Sequence, residues 1–230
     1  MLDQAIRYGA ILSQPEFEKS GNILEIGSGT KGIAVFVRNS VVGIDADFKD
    51  ELHPAVLAIK ASATALPLRD NCGERVVCSD MLEHLSKEER PGAIAELIRV
   101  TKGTLFLACP CGEGARRTDD RLMRLYHFLS APVPDWLEEH NRKGIPDADE
   151  IQNTLKEQGV NWREMPGESC FTHFLVSLLI ATRFLNNLWS SIIRDKPDLA
   201  RRVAEWGAFP GVSSYRRLWI VPGSPNRREL

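Results

Sequence analysis

The chain carries almost no surplus of charge: 29 Lys and Arg stand against 31 Asp and Glu, a formal net charge of -2. A phosphate backbone is held by a basic field or stripe, so nucleic acid is not expected as a partner. Cysteine is scarce and odd in number. Cys72, Cys78, Cys109, Cys111 and Cys170 show no framework spacing, and Cys78 and Cys109 sit inside apolar runs, which fits reduced thiols in a cytoplasmic protein. The Cys109-Pro110-Cys111 stretch has one intervening residue and no matching pair, so it is read as structural rather than as a zinc site. Repeats and low-complexity tracts are missing as well. Asp3, Arg7 and the polar residues after Leu12 interrupt the first apolar run, and no signal peptide is expected. One segment, Phe171 to Ile193, is long enough for the roughly 20 residues of a membrane span, but its pattern argues against one. Phe171, Phe174, Leu175, Leu178, Leu179, Leu185, Leu188, Trp189, Ile192 and Ile193 recur at helical spacing, with His173, Ser177, Arg183, Asn187, Ser190 and Arg194 largely opposite. This predicts an amphipathic helix that packs as core or lid, with its apolar face as a candidate homodimer surface.

What is present is an alternation of short apolar runs and helical stretches. Leu2 to Leu12 predicts an opening helix ending before Pro15. Strands are expected at Asn22–Ile26, Val41–Asp45, Val56–Ala61, Arg75–Asp80 and Thr104–Cys109, with helices at Lys31–Arg38, Phe48–Leu52 and Lys87–Val100 between them. A helix at Asp147–Gln158 capped by Asp147, a strand at Val160–Glu164 and a last strand at Tyr215–Val221 complete the pattern. The expected fold is α/β: a Rossmann-like, seven-stranded, mostly parallel sheet with helices on both faces and helical insertions after strand 5 and between strands 6 and 7. One domain over 1–230 is expected, with a core at 1–110, insertions at about 112–146 and 167–210, and a loose tail from Gly223. In such sheets ligands bind outside the carboxyl ends of the strands, at the topological switch point.

That edge carries the densest motif. Gly27-Ser28-Gly29-Thr30-Lys31-Gly32 follows a strand and precedes a predicted helix, and Asp45 ends the next strand. The glycines permit a tight turn and close backbone approach to a ligand, while the acid can accept two ribose hydroxyls. An adenosine-bearing ligand is implied, and NAD and S-adenosylmethionine both qualify. Glu25, two residues before Gly27, would repel a pyrophosphate and attract the ammonium of a methionine moiety, which favours the second.

From Asn22 to Pro110 the sequence resembles the class I methyltransferases, in particular the type 11 small-molecule group. Leu24 to Gly32 resembles the family's first motif and Val42-Gly43-Ile44-Asp45 its ribose-binding second. Ser62-Ala63-Thr64-Ala65-Leu66-Pro67-Leu68-Arg69-Asp70 resembles the adenine-holding segment, and Val76 through Leu85, with Leu82-Glu83-His84-Leu85, the fourth strand and its continuation. The resemblance implies S-adenosyl-L-methionine as cofactor, with Glu25, Gly27, Ser28, Gly29, Gly32, Asp45, Ala46, Ser62, Ala63, Ser79 and Asp80 as its binding residues. One departure stands out: Ser62 occupies the position of the family's adenine-binding aspartate. A hydroxyl still accepts a hydrogen bond but is shorter and uncharged.

The implied reaction is methyl transfer to an oxygen or nitrogen of a small-molecule acceptor such as a sugar, a lipid-linked compound or a natural product. In-line displacement from a sulfonium mainly requires alignment and exclusion of water, so a catalytic triad need not show. His84 is the candidate base, although Glu83-His84 could equally cap the next helix. No further carboxylate pair is spaced to complete a metal site with them, and none is expected. Arg116, Tyr126 and His127 are candidate acceptor contacts, with Trp136 and His140 in the same insertion. Two other classes remain open at this stage: a catalytically silent module that keeps the fold, and an NAD-dependent oxidoreductase.

Overall fold

The computed structural model describes residues 2–181 and 213–223. Seven strands form one sheet: β1 (Ile23–Ile26), β2 (Val41–Asp45), β3 (Val56–Lys60), β4 (Gly73–Ser79), β5 (Thr101–Pro110), β6 (Arg163–Ser169) and β7 (Ser214–Pro222). Their order is β3-β2-β1-β4-β5-β7-β6. All run parallel except β7, which is antiparallel to β5 and β6. β1 is buried along its whole length and β4 and β5 along most of theirs, as expected of strands covered on both faces.

Six α-helices accompany the sheet among the described residues: α1 (Leu2–Leu12), α2 (Arg90–Val100), α3 (Gly112–Phe128), α4 (Asp135–Lys143), α5 (Ala148–Glu157) and α6 (Cys170–Ala181). On one face Leu24, Ile26, Val76, Cys78, Leu105 and Leu107 pack with Ile94 and Leu97 of α2 and Ile151 and Leu155 of α5. On the other, Ile23, Val41, Val77 and Phe106 pack with Tyr8 and Ile11 of α1 and with Ile33. Alternate residues of each strand thus serve opposite layers.

Several connections depart from expectation. In place of a helix over Lys31–Arg38 there is one 3-10 turn, Gly32–Val35; Gly32 has φ +49, outside the helical region. Phe48–Leu52 is not helical. Its Asp, Lys and Glu residues leave no apolar stripe to bury, and Pro54 follows closely. The sixth strand lies at Arg163–Ser169 rather than Val160–Glu164. Pro166 and Gly167 hide it from a propensity reading, and the register shifts there; an edge strand tolerates both. Asp147 sits at the start of α5 without capping it, because its Oδ1 accepts from Arg116 Nη2 at 2.8 Å instead. α2 starts at Arg90, with Pro91 in its first turn.

Of the helix expected over Phe171–Ile193, α6 is the described part, and none of the described helices is long and apolar enough to cross a membrane. The remainder of that segment and residues 224–230 of the tail lie outside the described residues.

Candidate active site

The chain runs from β1 outward through β2 and β3 on one side and then crosses to β4 on the other side of β1, so the crevice of the switch point opens above the ends of β1 and β4. There Gly27 N–H donates to Ile44 O at 2.8 Å, and Gly27 adopts φ +77 with no room for a Cβ, which would stand 2.7 Å from Met81 Cβ. Asp45 holds the next turn of the loop: its Oδ2 accepts from Gly29 N–H at 2.7 Å, and its Oδ1 from Asp47 N–H at 3.1 Å. The loop borders a cavity of about 610 Å³ whose wall includes Gly27, Ser28, Gly29, Gly32, Asp45, Ala46, Ser62, Ala63 and Asp80. Nine of the eleven expected cofactor residues therefore meet around one space. Ser62 lies at its exposed rim, where its Oγ is 2.8 Å from Thr64 Oγ1.

Glu25 and Ser79 are the two that do not line it. Glu25 is fully buried beneath the loop, and its Oε2 accepts from Ile33 N–H at 2.8 Å. A Cβ on Gly32 would stand 2.0 Å from that same oxygen. Glu25 therefore braces the glycine loop from below rather than facing the cavity. Burial pushes its carboxyl up to about 7, against hydrogen bonds from Tyr8 and the Ile33 backbone that favour ionisation. Ser79 is buried inside the end of β4 and leaves the edge to Asp80.

Asp80 has φ +53, an uncommon backbone state for a residue with a side chain. Two arginines hold it. Arg216 donates from Nε to Oδ1 at 2.6 Å and from Nη2 to Oδ2 at 2.5 Å, and Arg7 Nε stands 3.0 Å from Oδ2. Burial would push the carboxyl up, but the Arg216 and Arg7 guanidiniums outweigh it and keep Asp80 well below the usual range. Arg216 also pairs with Glu168, so α1, β6 and β7 converge on the end of β4.

A second cavity of about 290 Å³ adjoins the first, and the two share Arg7, Asp80 and His84 as lining residues. Tyr126 of α3, Trp136 and His140 of α4, and Val176 and Ser177 of α6 line it. Among the expected acceptor contacts, Tyr126 belongs here. Arg116 does not, being directed to Asp147, and His127 is exposed on the outside of α3.

His84 ends a single 3-10 turn after β4, Leu82–His84. Arg90 pins this turn by donating from Nε to Leu82 O at 3.1 Å. His84 Nδ1 lies 2.8 Å from Glu139 Oε2, and Lys143 Nζ reaches Glu139 Oε1 at 2.8 Å. The Lys143 and His84 contacts hold Glu139 down at about 2. A carboxylate can only accept, so Nδ1 of His84 carries the hydrogen and Nε2 keeps its lone pair. Burial lowers the His84 pKa despite the Glu139 hydrogen bond, leaving the ring neutral near pH 7.

Beside it, His140 Nδ1 lies 2.9 Å from Asp119 Oδ2, and Tyr215 O–H donates to Asp119 Oδ1 at 2.9 Å. Burial disfavours the charged imidazole, but Asp119 and Glu83 outweigh it and raise the His140 pKa. Glu83 makes no helix cap. It is fully buried, both of its carboxylate oxygens lack a hydrogen-bond partner, and burial with the nearby Asp80 charge pushes it up to about 8.

Comparison with known proteins agrees with this geometry. A family model described as a methyltransferase domain matches residues 24–107. That match covers a little over a third of the chain, from β1 into β5. No curated protein matches the chain in sequence. Among solved structures, the chain is similar to Haemonchus contortus phosphoethanolamine N-methyltransferase 2 in complex with phosphomonomethylethanolamine and S-adenosylhomocysteine. There the identity is 14%, the TM-score 0.57, and coverage 97% of this chain and 53% of that one; this chain thus spans about half the length of that protein. It is also similar to magnesium protoporphyrin IX methyltransferase from Synechocystis with bound S-adenosylhomocysteine, at 12% identity and TM-score 0.55, covering 97% and 83%. A third is the cyclase SpnF, at 16% identity and TM-score 0.57, covering 96% and 81%. At such identities the likeness establishes the fold, and a cyclase among them shows that the fold alone does not name the reaction.

Sequence reasoning missed Gln4 and Arg7 on α1 and Glu168, His173, Tyr215 and Arg216 of the second cavity. The only available signal was a pair of arginines, Arg216-Arg217, inside a run that otherwise reads as a buried strand.

Proposed function

We propose that the protein transfers a methyl group from S-adenosyl-L-methionine to an oxygen or nitrogen of a small-molecule acceptor bound in the 290 Å³ cavity. The observation that carries this reading is the common wall of Arg7, Asp80 and His84 between that cavity and the one under the glycine loop. The larger cavity lies in the range of about 300–1,000 Å³ that takes a small organic cofactor. A Cβ on Gly29 would meet nothing within 4 Å, so the loop offers bare backbone to a ligand. Asp45 retains acceptor capacity for ribose hydroxyls, since each of its oxygens has two lone pairs and receives one backbone hydrogen bond. When bound, the cofactor supplies an electrophilic methyl group on a sulfonium.

The residues of the chain supply placement. α3, α4 and α6 wall the acceptor space, and Trp136 packs edge-on against His140 with ring centroids 5.2 Å apart. His84, on the shared wall, turns its lone-pair nitrogen away from Glu139 and is the group able to act on the acceptor atom. Excluding water and aligning donor with acceptor provide most of the acceleration expected for an in-line displacement.

Turnover tests the reading. Incubation with methyl-labelled S-adenosylmethionine and a panel of hydroxylated and amine small molecules should transfer label to at least one. His84→Gln should reduce the rate on a hydroxyl acceptor by about 10²–10⁴-fold. Binding of the cofactor without transfer to any member would favour the silent binding module.

A further inference from the structure

Glu83, His84 and His140 come from two elements, the turn after β4 and α4, and each offers a donor atom within 4.8 Å of the others. The sequence gives Glu83 and His84 as neighbours; the third member arrives only through folding. All three line the acceptor cavity.

Three features set this cluster apart from a chance gathering of polar groups. Glu83 is fully buried with both oxygens unpartnered, and a buried carboxylate in that state calls for a cation or a donor. Each histidine has its Nδ1 tied to a separate carboxylate, Glu139 for His84 and Asp119 for His140. Those carboxylates are themselves fixed by Lys143 and Tyr215. In the neutral rings both Nε2 atoms are thereby lone-pair donors, the outer arrangement that orients metal-binding histidines; at His140 an incoming ion displaces the Nε2 proton of the charged form. Finally, His140 Nε2 stands 3.9 Å from Glu83 Oε1. That is too long for a hydrogen bond, yet it is a span that two ligands of one ion can take when each bond is about 2.0–2.2 Å. Asp80 is not available as a fourth ligand, being held by Arg216 and Arg7.

We propose that Glu83, His84 and His140 bind a divalent first-row transition-metal ion in the wall of the acceptor cavity. Two imidazoles and one carboxylate suit Zn²⁺, Fe²⁺, Co²⁺ or Mn²⁺, whereas the lack of thiolate or thioether ligands argues against Cu⁺. Three protein ligands leave coordination positions open toward the cavity. With the ion bound, His84 Nε2 serves as a ligand instead of a base, and an acceptor hydroxyl held at the ion releases its proton to solvent more readily. Its oxygen then bonds to the methyl carbon as the sulfonium C–S bond breaks. This role rests on the methyl-transfer reading; the metal site itself does not.

The test uses the full chain, stripped with a chelator and dialysed against Zn²⁺, Co²⁺ or Mn²⁺, with metal content measured by mass spectrometry. Wild type should retain about one ion per chain, show a Co²⁺ absorption band of a site with nitrogen and oxygen ligands, and melt at a higher temperature with the ion than without. Glu83→Gln and His140→Gln should each weaken binding at least tenfold, with circular dichroism of the stripped proteins reporting that they fold. Asp119→Asn should weaken it by about 10–100-fold by releasing His140. His127→Gln, on the exposed side of α3, should leave it unchanged. Less than a fifth of an ion per wild-type chain, or binding indifferent to both Glu83→Gln and His140→Gln, would overturn the proposal. Titration of the same samples with S-adenosylhomocysteine separates the two ideas: cofactor binding without metal binding overturns the metal site alone, and metal binding without cofactor binding overturns the methyl-donor reading alone.

Discussion

Gly29 and Gly32 lie three residues apart in one loop and both have positive φ, +54 and +49, yet a methyl group added to each meets different surroundings. At Gly32 it lands 2.0 Å from Glu25 Oε2, inside a buried contact; at Gly29 it meets open space on the cavity side. Left-handed backbone costs a residue with a Cβ about 1–2 kcal/mol, and this applies to both. Gly32→Ala adds a collision beneath the loop, so its melting temperature should fall further than that of Gly29→Ala. Gly29→Ala should instead lose affinity for S-adenosylhomocysteine, because its Cβ occupies ligand space. Differential scanning calorimetry and a binding titration on the two variants check the contrast; equal melting temperatures would contradict it. The glycines were legible from their spacing, but their division of labour was not. It depends on Glu25, which reads in sequence as a ligand-facing acid and folds as a buried brace.

At the scale of elements, Arg216 joins what the chain order separates. It sits on β7 and pairs with Asp80 at the end of β4 and with Glu168 on β6, while Arg7 of α1 reaches the same Asp80. All of these groups except Arg7 are almost fully buried at the side chain. Arg216→Met leaves two buried carboxylates short of a partner, and removal of one member of such a set costs about 3–5 kcal/mol. Arg216→Met combined with Asp80→Asn should recover part of that loss, a non-additivity that denaturant unfolding of the single and double variants measures. Additive effects would show that the two residues are not coupled. Sequence reading found β7 nearly whole because its apolar run is long, and placed β6 too early because Pro166 and Gly167 break the strand pattern. It could not see that Arg216 turns inward, since burial of a charge is decided by partners on other elements.

For the whole molecule, the parallel order of strands and the edge that carries the site were readable from apolar runs ending in Gly27, Asp45 and Asp80. The bare connections after β1 and β2, and the meeting of α1, α3, α4 and α6 over the second cavity, required the fold, because they depend on long-range packing. The same packing sets the dependence of stability on pH. Asp80 and Glu139 have folded-state pKa values below the unfolded range; they contribute stability above the unfolded pKa that is lost as pH falls through the lowered values. Glu25 lies the other way, at about 7 against 4.5. Its contribution is full below the unfolded value and is lost as pH rises to the folded one. Thermal melts without ligand should therefore show Glu25→Gln losing less stability than wild type between about pH 5 and pH 8, and parallel curves would contradict this. The central claim, that the 610 Å³ cavity under the glycine loop holds an S-adenosyl ligand, is tested most directly by calorimetric titration of the full chain with S-adenosylhomocysteine, in competition with NADH. The account predicts a single class of sites, binding weakened more than tenfold by Asp45→Ala through loss of charge-assisted hydrogen bonds worth about 1.5–3 kcal/mol, and no displacement by NADH. An absence of heat and of any thermal shift at millimolar ligand, or preferential binding of NADH, would contradict it.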